Sequence, residues 1–314
     1  EGITGHRRYT AVRRFLSFKA REKNVPIGGT FELTPICNLD CRMCYVHLDA
    51  DRLKGRELLP TDTWKALMRQ AIEAGMMYAT LTGGECLTYP GFKELYLYLQ
   101  SMGVEVNVFS NALLLNEDMI RFFAAHKPAL IQITLYGASD DAYERVTGRR
   151  CFEQVFDNIL AARQAALPVK MAVTPNEFMQ DGEDIIRLLQ AHELPYGINF
   201  GIMKPREETG RELHDTSAEQ YVSLLKLICE LSGSPVYPSC DEEELPEPNT
   251  EGQECRGVTC GAGRSGFSIS WDGVMRPCNM FPEVSARPME MGFIQAWRLI
   301  HEAANAFPLP AECQ

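Results

Sequence analysis

Three cysteines lie close together in the first part of the chain. Cys37, Cys41 and Cys44 are separated by three and two residues, so their thiolates can converge on one metal group from a single tight loop. Thiolates are the usual protein ligands of iron–sulfur clusters, and three of them on a four-iron cube leave one iron open for a further ligand. The triplet therefore predicts an open iron–sulfur cluster. The alternative is a tetrahedral zinc site with His47 as its fourth ligand.

The elements that must position this loop alternate between strand and helix. Between residues 61 and 75, apolar residues recur at helical spacing, and the other helical patterns cover 92–102, 117–125, 152–166 and 183–192. Strand-like segments precede and separate them at 31–34, 78–82, 104–109, 130–135, 169–173 and 198–202. Such repeats predict an α/β fold with a parallel sheet, either a partial (β/α)6 barrel or a doubly wound sheet. In both folds, ligands bind at the carboxyl ends of the strands.

Other notable groups also follow predicted strands. Gly83-Gly84-Glu85 comes after the second strand, Ser110-Asn111 after the third, and Thr134 lies near the end of the fourth. Because the carboxyl ends of parallel strands meet at one edge, we expect these groups to lie near the cysteine loop.

The CxxxCxxC triplet after the first strand, together with Gly83-Gly84-Glu85, resembles the radical S-adenosylmethionine (SAM) superfamily. The resemblance implies that the amino and carboxylate groups of SAM chelate the open iron of a [4Fe-4S] cluster. One electron then breaks the sulfonium bond and yields a 5′-deoxyadenosyl radical. In that family the Gly-Gly-Glu segment binds the methionine amino group largely through backbone atoms, and glycine permits such a close approach.

The resemblance also implies roles for residues around SAM. Met43 stands where the family usually has an aromatic residue near adenine, and Ser110-Asn111 resembles its Thr-Asn-Gly segment. Thr134 resembles the ribose-contacting position, and Arg145 resembles a basic residue near the SAM carboxylate. The alternatives are that Thr134 is an ordinary strand residue and Arg145 a surface helix residue.

A second group of cysteines lies near the end of the sequence. Cys260 is followed by twelve residues, Gly273, four residues and Cys278, which resembles the first half of the SPASM signature. The resemblance implies one or two auxiliary [4Fe-4S] clusters, with Cys255, Cys260 and Cys278 on the nearer one and Cys313 at the start of the next ligand run. Either the tail is cut, or this is a reduced, twitch-like variant. A zinc ribbon-like module is the alternative.

Composition narrows the class of protein. A formal net charge of −11 argues against a nucleic-acid-binding surface as the main function. No apolar run reaches the roughly 18 residues of a membrane span. The cysteine count, 11, is odd, and no signal peptide is recognisable, so we expect a reducing cytoplasm rather than a disulfide framework.

We predict a basic helical extension over residues 1–29, a partial barrel over 30–239 and a cysteine-rich SPASM/twitch-like domain over 240–314.

The resemblance implies an enzyme that cleaves SAM reductively and abstracts hydrogen from a ribosomally made peptide or protein. The product would be a crosslink, an epimer or an oxidised residue, and flavodoxin or ferredoxin would supply electrons. Two alternatives stay open: a twitch-type enzyme that dehydrogenates or otherwise modifies a small molecule, and a non-enzymatic iron–sulfur or zinc protein. No catalytic acid or base stands out among the 42 Asp and Glu residues.

Overall fold

The computed structural model describes residues 2–199, 201–232 and 260–307. Its strands are β1 (Gly28–Glu32), β2 (Tyr78–Thr82), β3 (Glu105–Ser110), β4 (Leu130–Thr134), β5 (Val169–Val173), β6 (Tyr196–Ile198), β7 (Gly266–Ile269) and β8 (Met275–Arg276). They form one sheet in the order β6-β5-β4-β3-β2-β1-β7-β8. Every neighbouring pair is parallel except β7 and β8. The predicted α/β partial barrel is therefore confirmed.

Helices follow most of the strands. They are α1 (Gly2–Lys23), α2 (Ala50–Leu53), α3 (Thr61–Glu73), α4 (Phe92–Ser101), α5 (Glu117–Ala125), α6 (Asp140–Thr147), α7 (Phe152–Gln164), α8 (Gly182–Ala191), α9 (Ala218–Ser232), α10 (Pro288–Met291) and α11 (Phe293–Ala306). The helix predicted over 61–75 forms because its apolar stripe packs on the sheet. Trp64 is fully buried there, and its ring meets that of Phe31 edge-on at 6.0 Å. Packing of this kind, rather than helix propensity, supplies most of a helix's stability.

Two elements differ from the sequence-based expectation. The sixth strand covers Tyr196–Ile198 rather than residues 198–202, because it pairs only with β5, and Gly201 has a φ of +103° that no strand adopts. Helix α6 was not predicted. Ser139 caps its start by accepting a hydrogen bond from the Ala142 amide at 3.2 Å, and Gly148 ends it in the left-handed conformation.

The segment 260–307 continues the barrel sheet. β7 pairs in parallel with β1, and a turn at Trp271–Gly273 connects β7 to β8. The proposed domain boundary at residues 239/240 lies outside the described residues and stays a prediction. None of the helices in the described ranges combines the length and apolar character needed to cross a lipid bilayer.

Candidate cofactor site

The three clustered cysteines lie in the loop after β1 and interact electrostatically. The Cys37 thiol accepts a hydrogen bond from the Leu39 amide at 3.4 Å, and Cys44 accepts one from the His47 amide at 3.3 Å. Cys41 is buried and interacts electrostatically with both other thiols. Backbone N–H groups aimed at sulfur favour the thiolate, which is the form that binds a cluster.

Burial alone opposes that ionised form. Burial and the nearby Glu85 charge raise the pKa of Cys37 to about 12. Burial also raises the pKa of Cys41 and that of Cys44, although hydrogen bonds from Val46 and His47 act in the opposite direction at Cys44. Three thiols that are neutral alone and lie together favour a bound cation that replaces their protons, since metal ligation deprotonates thiols outright.

The His47 ring lies next to Asp40. Its Nε2 lies 3.7 Å from Asp40 Oδ1, and burial lowers the pKa of the imidazole. Within the described residues, no three His, Cys, Asp or Glu side chains are grouped tightly enough to hold one metal ion. A four-iron cube is bulkier than an ion and takes one thiolate per iron, so a loop with three thiolates would hold three of its irons.

The Gly-Gly-Glu segment after β2 packs directly on the backbone that leads to Cys37. The Gly84 amide donates to the Thr34 carbonyl at 2.6 Å, and the Glu85 amide donates to the Ile36 carbonyl at 2.9 Å. A Cβ on Gly83 would lie 2.5 Å from the Thr34 carbonyl oxygen, and one on Gly84 would lie 2.5 Å from that of Ile36. Only glycine permits this approach of two loops.

Substituting Gly84 by Ala should therefore push the two loops apart. We expect a loss of about 1–3 kcal/mol in unfolding free energy, the usual cost of overpacking, and weaker SAM binding. Denaturant unfolding and SAM titration by calorimetry would measure both. Gly28→Ala is the matched control, because the nearest atom to its added Cβ is 4.0 Å away. Equal stability of the two variants would contradict the steric argument.

The buried side chain of Glu85 links two of the loops by hydrogen bonds. Its side chain is 1% exposed and accepts hydrogen bonds from Ser110 Oγ at 3.0 Å, the Asn111 amide at 2.7 Å and the Leu87 amide at 3.1 Å. Burial raises the pKa of this carboxyl group, and the hydrogen bonds from Asn111, Leu87 and Ser110 partly offset the rise. The carboxyl group thus ties the end of β3 to the loop after β2.

Asn111 extends these hydrogen bonds to the cysteine loop. Its Nδ2 donates to Asn38 Oδ1 at 2.7 Å and approaches Cys37 Sγ at 3.6 Å, while its Oδ1 accepts from the Leu113 amide. The predicted meeting of the loops that follow β1, β2 and β3 is therefore what the structure shows.

These loops surround a cavity of about 240 Å³ at the carboxyl ends of the strands. The sequence-predicted residues that line it are Cys41, Met43, Cys44, Gly83, Gly84, Ser110, Asn111 and Thr134. Met43 and Thr134 line the same cavity, and their contacts with adenosine stay predictions. The cavity is lined by both apolar and polar residues, a combination that suits a small molecule with polar groups.

Arg145 lies elsewhere. It is on α6, is not among the cavity-lining residues, and its Nη2 lies 3.9 Å from Asp181 Oδ1. Asp181 in turn accepts a hydrogen bond from the Ala138 amide at 2.7 Å, in the loop after β4. In this structure Arg145 lies beside Asp181, and its predicted contact with the SAM carboxylate stays a prediction.

Sequence reasoning missed polar cavity residues on the last barrel strands. Gln132 and Tyr136 line the cavity from β4 and the residues after it, and Thr174 and Asn199 line it from the ends of β5 and β6. Asn199 Nδ2 donates to Thr174 Oγ1 at 3.1 Å. Their position just after parallel strands was the available signal, since that edge is where ligands collect.

A buried ionic group behind the cysteine loop was also missed. Glu32, at the end of β1, is fully buried, and its carboxylate accepts from Tyr45 Oη at 2.7 Å and from Arg206 Nη2 at 2.6 Å. Burial acts to lower the pKa of Arg206, but the Glu32 charge outweighs it and raises that pKa. Arg211 donates to the carbonyl of Cys41 from the same segment. A single sequence carries no signal for these contacts, because 174 residues separate Arg206 from Glu32.

Two of the four C-terminal cysteines lie within the described residues. Cys260 is exposed and Cys278 is half-buried, and burial followed by the charge of Cys260 raises the pKa of Cys278. Both line a second cavity of about 460 Å³, which shares Tyr45, Thr82, Phe109 and Met203 with the first. Cys255 and Cys313 lie outside the described residues, so the ligand sets predicted for the auxiliary clusters stay predictions.

A parallel open barrel with a three-cysteine loop and a glycine-rich loop beside one cavity defines an enzyme class that uses a cluster and a small organic cofactor. The sequence profile of the radical SAM superfamily matches residues 31–232, and this chain belongs to that superfamily. The family implies a [4Fe-4S] cluster and SAM. The side chains at the cavity fit both, with three neighbouring thiols for the cluster and a close-packed glycine loop beside them for SAM.

Two related proteins support the same assignment. The chain is 32% identical over 158 residues to the sporulation killing factor maturation protein SkfB of Bacillus subtilis, covering 50% of this chain and 38% of SkfB. It is 25% identical over 274 residues to the subtilosin biosynthesis protein AlbA of the same organism, covering 84% of this chain and 57% of AlbA. The aligned part of this chain thus spans less than two thirds of each of these relatives.

Solved structures show the same fold. Streptococcus suis SuiB bound to S-adenosylmethionine superimposes with a TM-score of 0.70 at 16% identity, covering 92% of this chain and 70% of SuiB. SuiB bound to its precursor peptide SuiA gives a TM-score of 0.68, covering 94% and 71% of the two chains.

Proposed function

We propose that this protein cleaves SAM reductively and modifies a ribosomally made peptide. The observation that carries the first half is the position of Cys41 and Cys44 on the cavity that Gly83 and Gly84 also border, with Cys37 in the same loop and in electrostatic contact with Cys41. When bound, a reduced cluster with one open iron supplies the electron that splits SAM into methionine and a 5′-deoxyadenosyl radical. The chain's own part is to hold three irons, position SAM and exclude water.

Each side chain at the cavity has a task in this proposal. The backbone of Gly83, Gly84 and Glu85 receives the methionine amino group, and Ser110 and Asn111 stand beside it. Met43 packs against adenine and Thr134 contacts the ribose. Met43 is 7% exposed and offers an apolar, adaptable surface for a ring.

The proposed peptide substrate rests on the relatives and on the shape of the barrel. SkfB is named for maturation of a killing factor, AlbA for bacteriocin biosynthesis, and SuiB has been solved with a precursor peptide. In the described part of this chain, β6 forms one edge of the sheet and has no strand beyond it. An open side admits a long, bulky substrate, and the second cavity offers Thr80, Asn107 and Asn279 as hydrogen-bonding groups for a peptide backbone.

Anaerobic turnover tests this proposal directly. Reconstituted protein is incubated with SAM and dithionite, with and without a peptide encoded beside its gene, and 5′-deoxyadenosine is quantified by mass spectrometry. We expect its formation without peptide, an increase with the peptide, and a mass change in the peptide. Turnover stimulated instead by a small alcohol or sugar would favour the twitch-type alternative. No 5′-deoxyadenosine under any condition would favour the non-enzymatic one.

We further propose that Cys255, Cys260, Cys278 and Cys313 ligate one or two auxiliary clusters. Cys260 and Cys278 line one cavity, which supports a shared metal group. Iron and acid-labile sulfide analysis should give about eight irons per chain or more, and Cys278→Ala should lower the count by about four. About four irons in both proteins, or zinc in place of iron, would contradict the auxiliary clusters.

The electron donor and the compartment complete the proposal. Flavodoxin or ferredoxin supplies the low-potential electron, and the cytoplasm supplies reducing conditions that keep free thiols available for iron. A pull-down with purified flavodoxin, followed by SAM cleavage without dithionite, tests the donor.

A further inference from the structure

The cysteine loop of the barrel and the loop of Cys278 are joined by a side-chain hydrogen bond. Tyr45 directly follows Cys44, and Asn279 directly follows Cys278. Asn279 Nδ2 donates to Tyr45 Oη at 3.1 Å, across 234 residues of sequence. The two sets of candidate metal ligands are thus one side-chain contact apart.

Tyr45 is held firmly in this position. Its hydroxyl donates to Glu32 Oε1 at 2.7 Å, and the Glu32 carboxylate is fully buried. Arg206 contacts both residues: its Nη2 donates to Glu32 Oε2 at 2.6 Å, and its amide donates to the Tyr45 carbonyl at 3.2 Å. A buried carboxylate with partners on both oxygens fixes the orientation of each partner.

Asn279 is held mainly by this contact. The Oδ1 atom of its amide is buried and has no hydrogen-bond partner within the described residues. Within the described residues, the bond from Nδ2 to Tyr45 is therefore the hydrogen bond that orients the Asn279 amide, directly beside Cys278.

We propose that Tyr45 is a positioning residue that couples the Cys278 site to the SAM-binding cluster. Metal binding at Cys278 fixes the adjacent Asn279, and the hydrogen bond to Tyr45 transmits this to the backbone of Cys44. Groups that orient metal ligands tune the potential of the metal they surround. This inference rests on the proposed function for the two clusters, and it adds a physical link between them.

A double-mutant cycle tests the link. The reconstituted full chain, Cys278→Ala, Tyr45→Phe and the double variant are titrated redox-potentiometrically and followed by electron paramagnetic resonance. The SAM-binding cluster is identified by the change in its signal on adding SAM. We expect Cys278→Ala to shift the midpoint potential of that cluster, and about half or more of the shift to vanish in the Tyr45→Phe background. The direct field of the Cys278 metal is the same in both backgrounds, so the missing part belongs to the hydrogen bond.

Two further variants complete the design. Asn279→Ala removes the bond from its other end and should reproduce the loss of coupling, which also covers the case in which Tyr45→Phe fails to bind iron. Tyr78→Phe is the matched control, since Tyr78 lines the same cavity at its far end, where its ring lies under Arg13. An equal shift in all backgrounds, or no shift from Cys278→Ala in the parent, would overturn the coupling. Absence of any SAM-induced signal would instead contradict the proposed function.

Discussion

Replacing Cys41 by Ala is expected to abolish 5′-deoxyadenosine formation. Cys41 is the most enclosed of the three clustered thiols, and it lines the cavity between Met43 and the glycine loop. Two thiolates cannot hold a cube with one open iron at the geometry that SAM needs. Anaerobic assay with dithionite and SAM should give background product only, together with a loss of iron at this site.

The fold should survive this substitution. Cys41 loses only a thiol, and the loop keeps its backbone bonds, such as that from the Cys44 amide to the Cys41 carbonyl at 3.0 Å. Cys151→Ala is the matched control, because Cys151 is equally buried but lies at the start of α7, away from the cavity. We expect this control to retain activity. Product formation by Cys41→Ala at the rate of the control would disprove the assignment of the cluster to this loop.

Replacing Glu85 by Ala is expected to destabilise the protein by about 3 kcal/mol or more. The substitution leaves the amides of Leu87 and Asn111 and the hydroxyl of Ser110 without their buried acceptor. Each buried donor that loses its partner costs about 1–3 kcal/mol. Chemical denaturation of the parent and the variant, monitored by circular dichroism, gives the difference in unfolding free energy.

Two comparisons sharpen this prediction. Glu85→Gln keeps one acceptor oxygen and should fall between the parent and Glu85→Ala. Glu94→Ala, on the exposed face of α4, removes only a surface pair with Lys65 and should leave the unfolding midpoint unchanged. If Glu85→Ala unfolds at the same denaturant concentration as Glu94→Ala, the hydrogen bonds that Glu85 accepts do not stabilise the fold.

Much of the barrel could be predicted because its signals are local. The helix over Glu117–Ala125 and the strands Tyr78–Thr82 and Val169–Val173 have the bounds expected from apolar periodicity. Local sequence patterns predict boundaries less well for edge strands and short elements, because few contacts define where those elements begin and end. The edge strand β6 therefore begins and ends earlier than expected, and the eight-residue α6 was missing from the predicted helical ranges.

The sequence by itself determined the chemistry of the centre, since three thiols within eight residues must share one loop, and strand-end residues of a parallel sheet must share one edge. Only the tertiary structure decided which groups surround that centre. It directed Glu85 toward Ser110 and Asn111, left Arg145 beside Asp181 outside the cavity, and brought Arg206 and Asn279 to Glu32 and Tyr45. The physical reason is distance along the chain: spacing constrains neighbours within a loop, whereas contacts across 174 or 234 residues exist only after the sheet has formed.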